Sequence, residues 1–324
     1  MTAKKLSWPL AVAVLLIVGA CQINKVECDQ ECLDFWMDGP IKDDSCVTDS
    51  TCRVSVRIPK PDSAQKKTPV VLLVHGYTAS TYEWKEYKAY LQDTAKVEGK
   101  VNTSMILLGG HGLNIDEFRE STWKEWGKPL LEEYDSLRAK GFEKISIACA
   151  STGCALLMQY LSNGEFKKPP PKWIFMIDPI VVPSAKLLSL ANIVGPILGN
   201  SPNPGSDSEN AHWYVNRPQE TLQELYALIN RVKNQLESGF KLPKDTKAKV
   251  YKSKIDRSAD PVGALLIYKG LRKSDGSHID AEMLDSRLHV VTRLDFREPA
   301  ASKADTILQA RIFKEMTDRI LAKP

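Results

Sequence analysis

The sequence predicts an α/β protein: a mostly parallel sheet with helices on both faces and an inserted lid. Two observations carry this. Val70–Val74, Ile145–Ala148 and Trp173–Ile177 are short, continuous apolar runs, as expected of strands buried on both faces. They alternate with stretches whose apolar residues recur at helical spacing, the pattern of a parallel sheet crossed by helices.

Taken in order, Arg53–Ile58 alternates apolar and charged residues and reads as an edge strand. Val70–Val74 ends in His75-Gly76-Tyr77-Thr78, where Gly76 permits a tight turn. Trp84, Tyr87 and Leu91 follow at helical spacing. Met105–Leu108 is the next strand, closed by Gly109-Gly110-His111-Gly112. Trp123, Leu130, Tyr134 and Leu137 mark a long helix ending at Gly141. Residues 179–247 break the strand–helix rhythm and read as the lid. Lys249–Ile255 resumes the sheet, and Ile279–Leu284 is its last strand. Ile307, Leu308, Ile312, Met316 and Ile320 form a closing helix. The 324 residues carry no internal repeat, and their scattered prolines and glycines form no linker, so residues 68–324 read as one domain.

The first 20 residues read as a signal peptide. Lys4 and Lys5 form a positive start, and Leu10–Ala20 is apolar but too short to span a bilayer. The run closes on Val18-Gly19-Ala20-Cys21, which resembles the lipobox of bacterial lipoproteins. That resemblance implies a lipid on Cys21, a membrane partner and, with Gln22 rather than aspartate next, the outer membrane of a bacterial cell envelope. The other readings are a plain signal peptide cut near Ala20 or an uncleaved anchor. Residues 21–67 form the anchored segment. Cys28, Cys32, Cys46 and Cys52 cluster there, and an even number in an oxidising compartment reads as two disulfides of open pairing. A four-thiolate zinc site lacks its C-x-x-C spacing. Cys149 and Cys154 are expected to be buried and free. The net charge is +4, two of those charges being Lys4 and Lys5, and no basic stripe suggests nucleic acid.

Between a buried strand and the apolar helix of Ala155, Leu156, Met158 and Leu161 lies Cys149-Ala150-Ser151-Thr152-Gly153. This is the spacing of a nucleophile elbow, G-x-S-x-G, with Cys149 in place of the first glycine. Such a turn exposes the serine Oγ and leaves the next N–H, that of Thr152, free for an oxyanion. A helix N-cap at Ser151 is the bland alternative. An acid loop, Asp260-Pro261-Val262, follows a later strand, and His289 follows the last one. Strand ends converge at one edge of an open parallel sheet, and the order Ser, Asp, His is that of α/β-hydrolases.

The resemblance extends to bacterial carboxylesterases and monoacylglycerol lipases over roughly residues 68–320. It rests on Leu72-Leu-Val-His-Gly-Tyr-Thr78, Gly110-His-Gly112 with Trp123 and Trp126, Arg217-Pro218, Ser258-Ala-Asp-Pro-Val262 and Leu284-Asp-Ser-Arg-Leu-His-Val290. It departs at Cys149 and at Arg287-Leu288, where Ser-Gly is common. The implied α/β-hydrolase fold brings a serine hydrolase of small acyl esters, with no metal or organic cofactor. Ser151 would be nucleophile, His289 base and then acid, and Asp260 the group that orients the imidazole. Among the five histidines, His75 and His111 precede Ser151, His212 lies in the lid and His278 enters the last strand. Asp256 competes with Asp260 but would more naturally end its strand or form a turn. The N–H groups of Tyr77 and Thr152 would form the oxyanion hole. Leu187, Leu190 and Val194, in an apolar stretch of the lid, would line the acyl pocket. Acyl transfer or thioester cleavage by the same residues, and a non-catalytic binding lipoprotein, are the competing readings.

Overall fold

Strand β1, Val70–Val74, is apolar at every position, and every residue is buried. Its side chains alternate between two core layers. Val70, Leu72 and Val74 enter one, Val71 and Leu73 the other. A strand covered on both faces has no polar side to display, which is why its sequence is a run rather than an alternation. In β3, Ile145–Ala150, and β4, Trp173–Ile177, the division is the same: Ile147 and Cys149 face the first layer, Ala148 and Ala150 the second.

The computed structural model describes residues 53–93, 97–166, 169–184, 200–202, 211–297 and 299–322. With β2 (Asn102–Ile106), β8 (Lys247–Ser253) and β10 (Asp280–Leu284), these strands form a six-stranded sheet in the order β10-β8-β4-β3-β1-β2, parallel throughout. Helices Trp123–Ala139, Ser151–Ser162, Gln219–Ser238 and Val262–Gly270 pack on the first layer. Lys85–Asp93 and Lys303–Leu321 pack on the second. Two short pairs lie outside this sheet: β5 (Asn200–Pro202) with β6 (Asn216–Pro218), and β7 (Phe240–Lys241) with β9 (Leu271–Arg272).

Of the expected 179–247 insertion, the long helix Gln219–Ser238 sends Leu222, Leu225, Leu228 and Val232 into the core. The expected edge strand at Arg53–Ile58 is reduced to one antiparallel bridge, Val56 with Met105. Ser55 Oγ accepts the Leu107 N–H at 2.9 Å, taking an amide that further ladder pairing would have used. Among the described residues, no helix is long and apolar enough to cross a membrane. Cys21, Cys28, Cys32, Cys46 and Cys52, and Leu187, Leu190 and Val194, lie outside the described residues.

Strand order reverses at β1, which pairs with β2 on one side and β3 on the other. That reversal opens a crevice beyond the carboxyl ends of β1 and β3. Gly153 sets how tightly it closes. A Cβ there would meet His75 O at 2.5 Å, Val74 Cγ1 at 2.9 Å and Val74 O at 3.0 Å. Two of the three neighbours are backbone and cannot rotate away. Gly153→Ala should therefore cost at least about 2 kcal/mol, within the range of core overpacking. Urea unfolding checks this; an unchanged midpoint would mean that helix and strand separate easily.

Candidate active site

Ser151 closes β3 and opens the helix Ser151–Ser162. Its φ of +47° lies in the left-handed region, where a residue with a Cβ is strained by about 1–3 kcal/mol. That is the backbone expected of the elbow. Ser151 Oγ stands 2.9 Å from His289 Nε2. His289 Nδ1 in turn stands 2.7 Å from Asp256 Oδ2. With the proton on Nδ1, Nε2 is left to accept the serine proton.

The carboxylate facing His289 is thus Asp256 and not Asp260. Asp256 does end its strand and form a turn, as the sequence suggests: Oδ1 accepts the N–H groups of Ser258, at 2.8 Å, and Ala259, at 3.1 Å. Turn formation uses one oxygen and aims the other at the imidazole. Asp260 lies just before the following helix instead. Its Oδ1 accepts Val262 N–H at 2.9 Å, and its own N–H donates to Val182 O. Burial alone would push the Asp256 carboxyl up, but His289 first and Lys252 second hold it well below the usual carboxylate range.

The histidine loop is tied at several points. Arg297 Nη2 donates to His289 O at 2.5 Å and to Val290 O at 2.7 Å. Val290 N–H donates to Asp178 Oδ2 at 2.9 Å. Beside His289 the left-handed residue is Val290, at φ +60°, so Leu288 costs no turn geometry. Cys149 and Cys154, expected to be free, form a disulfide that straddles Ser151, with Cα atoms 5.0 Å apart. The elbow's missing first glycine therefore carries a covalent link from strand to helix.

The turn after β1 lies against the serine. A Cβ on Gly76 would stand 3.0 Å from Ser151 Cβ. Gly76 N–H donates to Glu83 Oε2 at 3.2 Å, and burial pushes the Glu83 carboxyl up. His75 accepts Leu108 N–H on Nε2 at 3.0 Å and donates from Nδ1 to Gly76 O at 2.8 Å. It is a neutral cross-brace; burial first, then His111, push its pKa down. Burial likewise pushes His111 down to about 4. No described residue accepts the Tyr77 N–H. The Thr152 N–H lies in the first turn of its helix, where no intrahelical acceptor exists. Tyr77 also packs on the buried rings of Phe118 and Trp126, at distances of 5.7 and 5.8 Å.

The structure thus brings together Ser151 and His289, sets the Gly76–Tyr77 turn and Thr152 beside them, and leaves Asp260 out. Sequence reasoning missed Asp178, Lys252, Glu83 and Arg297. Lys252 carried one signal, a cation following Val250 and Tyr251 inside a strand. Asp178 carried another, an acid ending the buried run Trp173–Ile177. Among the described residues, no group of three or more His, Cys, Asp or Glu side chains could hold a metal ion.

No family model matches the chain. A carboxylesterase of Bacillus subtilis (strain 168) is 24% identical over 189 residues, which span 57% of this chain and 72% of that protein. One of two metagenome-derived lipolytic enzymes, LipS and LipT, superposes with a TM-score of 0.59 at 18% identity, over 82% of this chain and 97% of that one. A soluble variant of monoglyceride lipase from Saccharomyces cerevisiae superposes with a TM-score of 0.60 at 13% identity, over 82% of this chain and 90% of that one. Together with the six-stranded parallel sheet and the elbow, these likenesses give the chain the α/β-hydrolase fold.

Proposed function

We propose that this chain is a serine hydrolase that cleaves carboxylic esters through an acyl-enzyme. The observation that carries the reading is the hydrogen-bonded chain from Ser151 Oγ through His289 to Asp256, on a serine held at φ +47°. Ser151 Oγ gives its proton to His289 Nε2 as it attacks the ester carbonyl carbon. The carbonyl oxygen takes the negative charge and is held by the N–H groups of Tyr77 and Thr152, each worth on the order of 3 kcal/mol where such donors have been removed. The imidazolium then returns the proton to the departing alcohol, and the acyl group stays on Ser151. Water, deprotonated by His289, repeats the sequence and releases the acid. Asp256 remains a carboxylate throughout and stabilises the imidazolium.

Ser151→Ala, His289→Ala and Asp256→Asn should each lower turnover of a p-nitrophenyl ester by at least about a thousandfold, since such residues act as a unit. Asp260→Asn should stay within about threefold of wild type. Labelling by a fluorophosphonate probe should be lost in Ser151→Ala. Labelling that persists there, or a crippled Asp260→Asn beside an active Asp256→Asn, would reverse these assignments.

For substrate class we propose neutral esters of medium chain length, monoacylglycerols included. The composition of residues 185–198 supports an apolar acyl group: Leu187, Leu190 and Val194 stand among other apolar residues and Lys186 is the one charge. Each buried methylene adds about 0.8 kcal/mol. The optimum should therefore fall at medium chains rather than acetate, and Leu190→Trp or Val194→Trp should move it shorter. A flat profile in all three proteins would rule out that stretch as the acyl site.

We propose, finally, that the enzyme works at a membrane, held by lipid on Cys21; the motif Val18-Gly19-Ala20-Cys21 supports this. Cys21→Ser should move the protein from the membrane fraction to the soluble one. Unchanged fractionation and processing would refute the anchor.

A further inference from the structure

The site holds a cation that the ester mechanism does not require. Lys252, on β8, is fully buried. Its Nζ hydrogen-bonds Asp256 Oδ2, the same oxygen that faces His289 Nδ1. It also lies 3.4 Å from Asp178 Oδ1, and neither carboxylate has any exposed side-chain surface. Asp178 follows β4 and adopts φ +45°. Besides Lys252 it accepts Ser253 N–H at 2.7 Å, Ser253 Oγ–H at 3.2 Å and Val290 N–H at 2.9 Å.

We propose that Lys252, bridging Asp178 and Asp256, is a positioning residue that sets the charge felt by His289. The inference rests on the esterase reading above and deepens it. Buried like charges do not coexist without a counter-charge. Asp178, Lys252 and Asp256 together carry one negative charge, and the His289 imidazolium that forms during attack on the ester brings the group to neutrality. Removing Lys252 would leave two buried carboxylates beside the imidazole, and the cluster would bind protons more tightly. Removing the charge of Asp178 would do the opposite. Among the described residues, Glu83 and Arg297 also lie near His289, and Arg293 acts on Glu83. All three persist in the variants below, so they do not confound the comparison.

The test is the pH dependence of kcat/KM for a neutral p-nitrophenyl ester, whose acidic limb reports protonation of the free enzyme's base. Lys252→Met should move that limb up by about one pH unit or more, the scale expected of a buried neighbouring charge. Asp178→Asn should move it down by a similar amount. In Asp178→Asn/Lys252→Met, where the lost charges cancel, it should return to within about 0.3 unit of wild type. A merely structural bridge would lower activity or stability in these variants and leave the limb where it was. Limbs that do not move, or that move the same way in both single variants, overturn the inference. If Lys252→Met yields no folded protein, Asp178→Asn and the double variant decide by the same signs, and Lys252→Arg should keep the wild-type limb. The esterase reading fails separately, by turnover surviving in Ser151→Ala. Active wild type with unmoved limbs sinks only the role of Lys252.

Discussion

The geometry of the site depends on one buried carboxylate that touches no substrate. Asp178 sits where β4 ends and gathers hydrogen bonds from Ser253 at the end of β8 and from Val290 beside His289. Parallel strands bring their carboxyl ends to one edge but leave each loop free to wander there. Asp178 removes that freedom for two loops at once, the one that presents Asp256 and the one that presents His289. Hydrogen bonds to an ionised acceptor are stronger than neutral ones, and burial keeps water from competing. The β4 end thereby fixes Asp256 and His289 relative to each other.

Three residues around this junction hold left-handed backbone without being glycine: Ser151 at +47°, Asp178 at +45° and Val290 at +60°. Val290 is β-branched, for which such a φ is a genuine outlier. Strain of about 1–3 kcal/mol at each persists only where neighbours over-determine the conformation. They do so here. The Cys149–Cys154 disulfide and the tight seat of Gly153 clamp Ser151. Val290 is held by Asp178 through its N–H and by Arg297 through its carbonyl. Strain and support lie in the same few residues, as expected where geometry serves chemistry rather than stability.

The sheet and the elbow were legible in the sequence because both leave local marks. Apolar runs buried on two faces and a small-x-Ser-x-Gly turn are set by sterics within a few residues. The choice between Asp256 and Asp260 was not legible, because each can cap a turn; what separates them is the direction of one carboxylate oxygen across β8 and β10. The same holds for Cys149 and Cys154, whose pairing across the elbow requires the strand and helix to be placed first. At Arg53–Ile58 the alternation is present, yet the strand is not, because Ser55 captures the amide that would have extended the ladder. Long-range partners decide these cases, and no local pattern encodes them.

Asp256 and Glu83 are two of the buried carboxyl groups near His289, and their surroundings drive them apart. Asp256 sits between an imidazole and a lysine and is held low. Glu83 sits with one backbone N–H, that of Gly76, and burial raises it. Environment, not residue type, separates their roles. In the proposed ester cleavage, an anion at Asp256 would stabilise the imidazolium, whereas an anion at Glu83 would stand against the Gly76–Tyr77 turn. Burial, which disfavours the Glu83 anion, weakens that opposition and leaves the hydrogen bond from Gly76 N–H in place. Burial thus disfavours negative charge beside the Gly76–Tyr77 turn, while His289 and Lys252 favour it at Asp256.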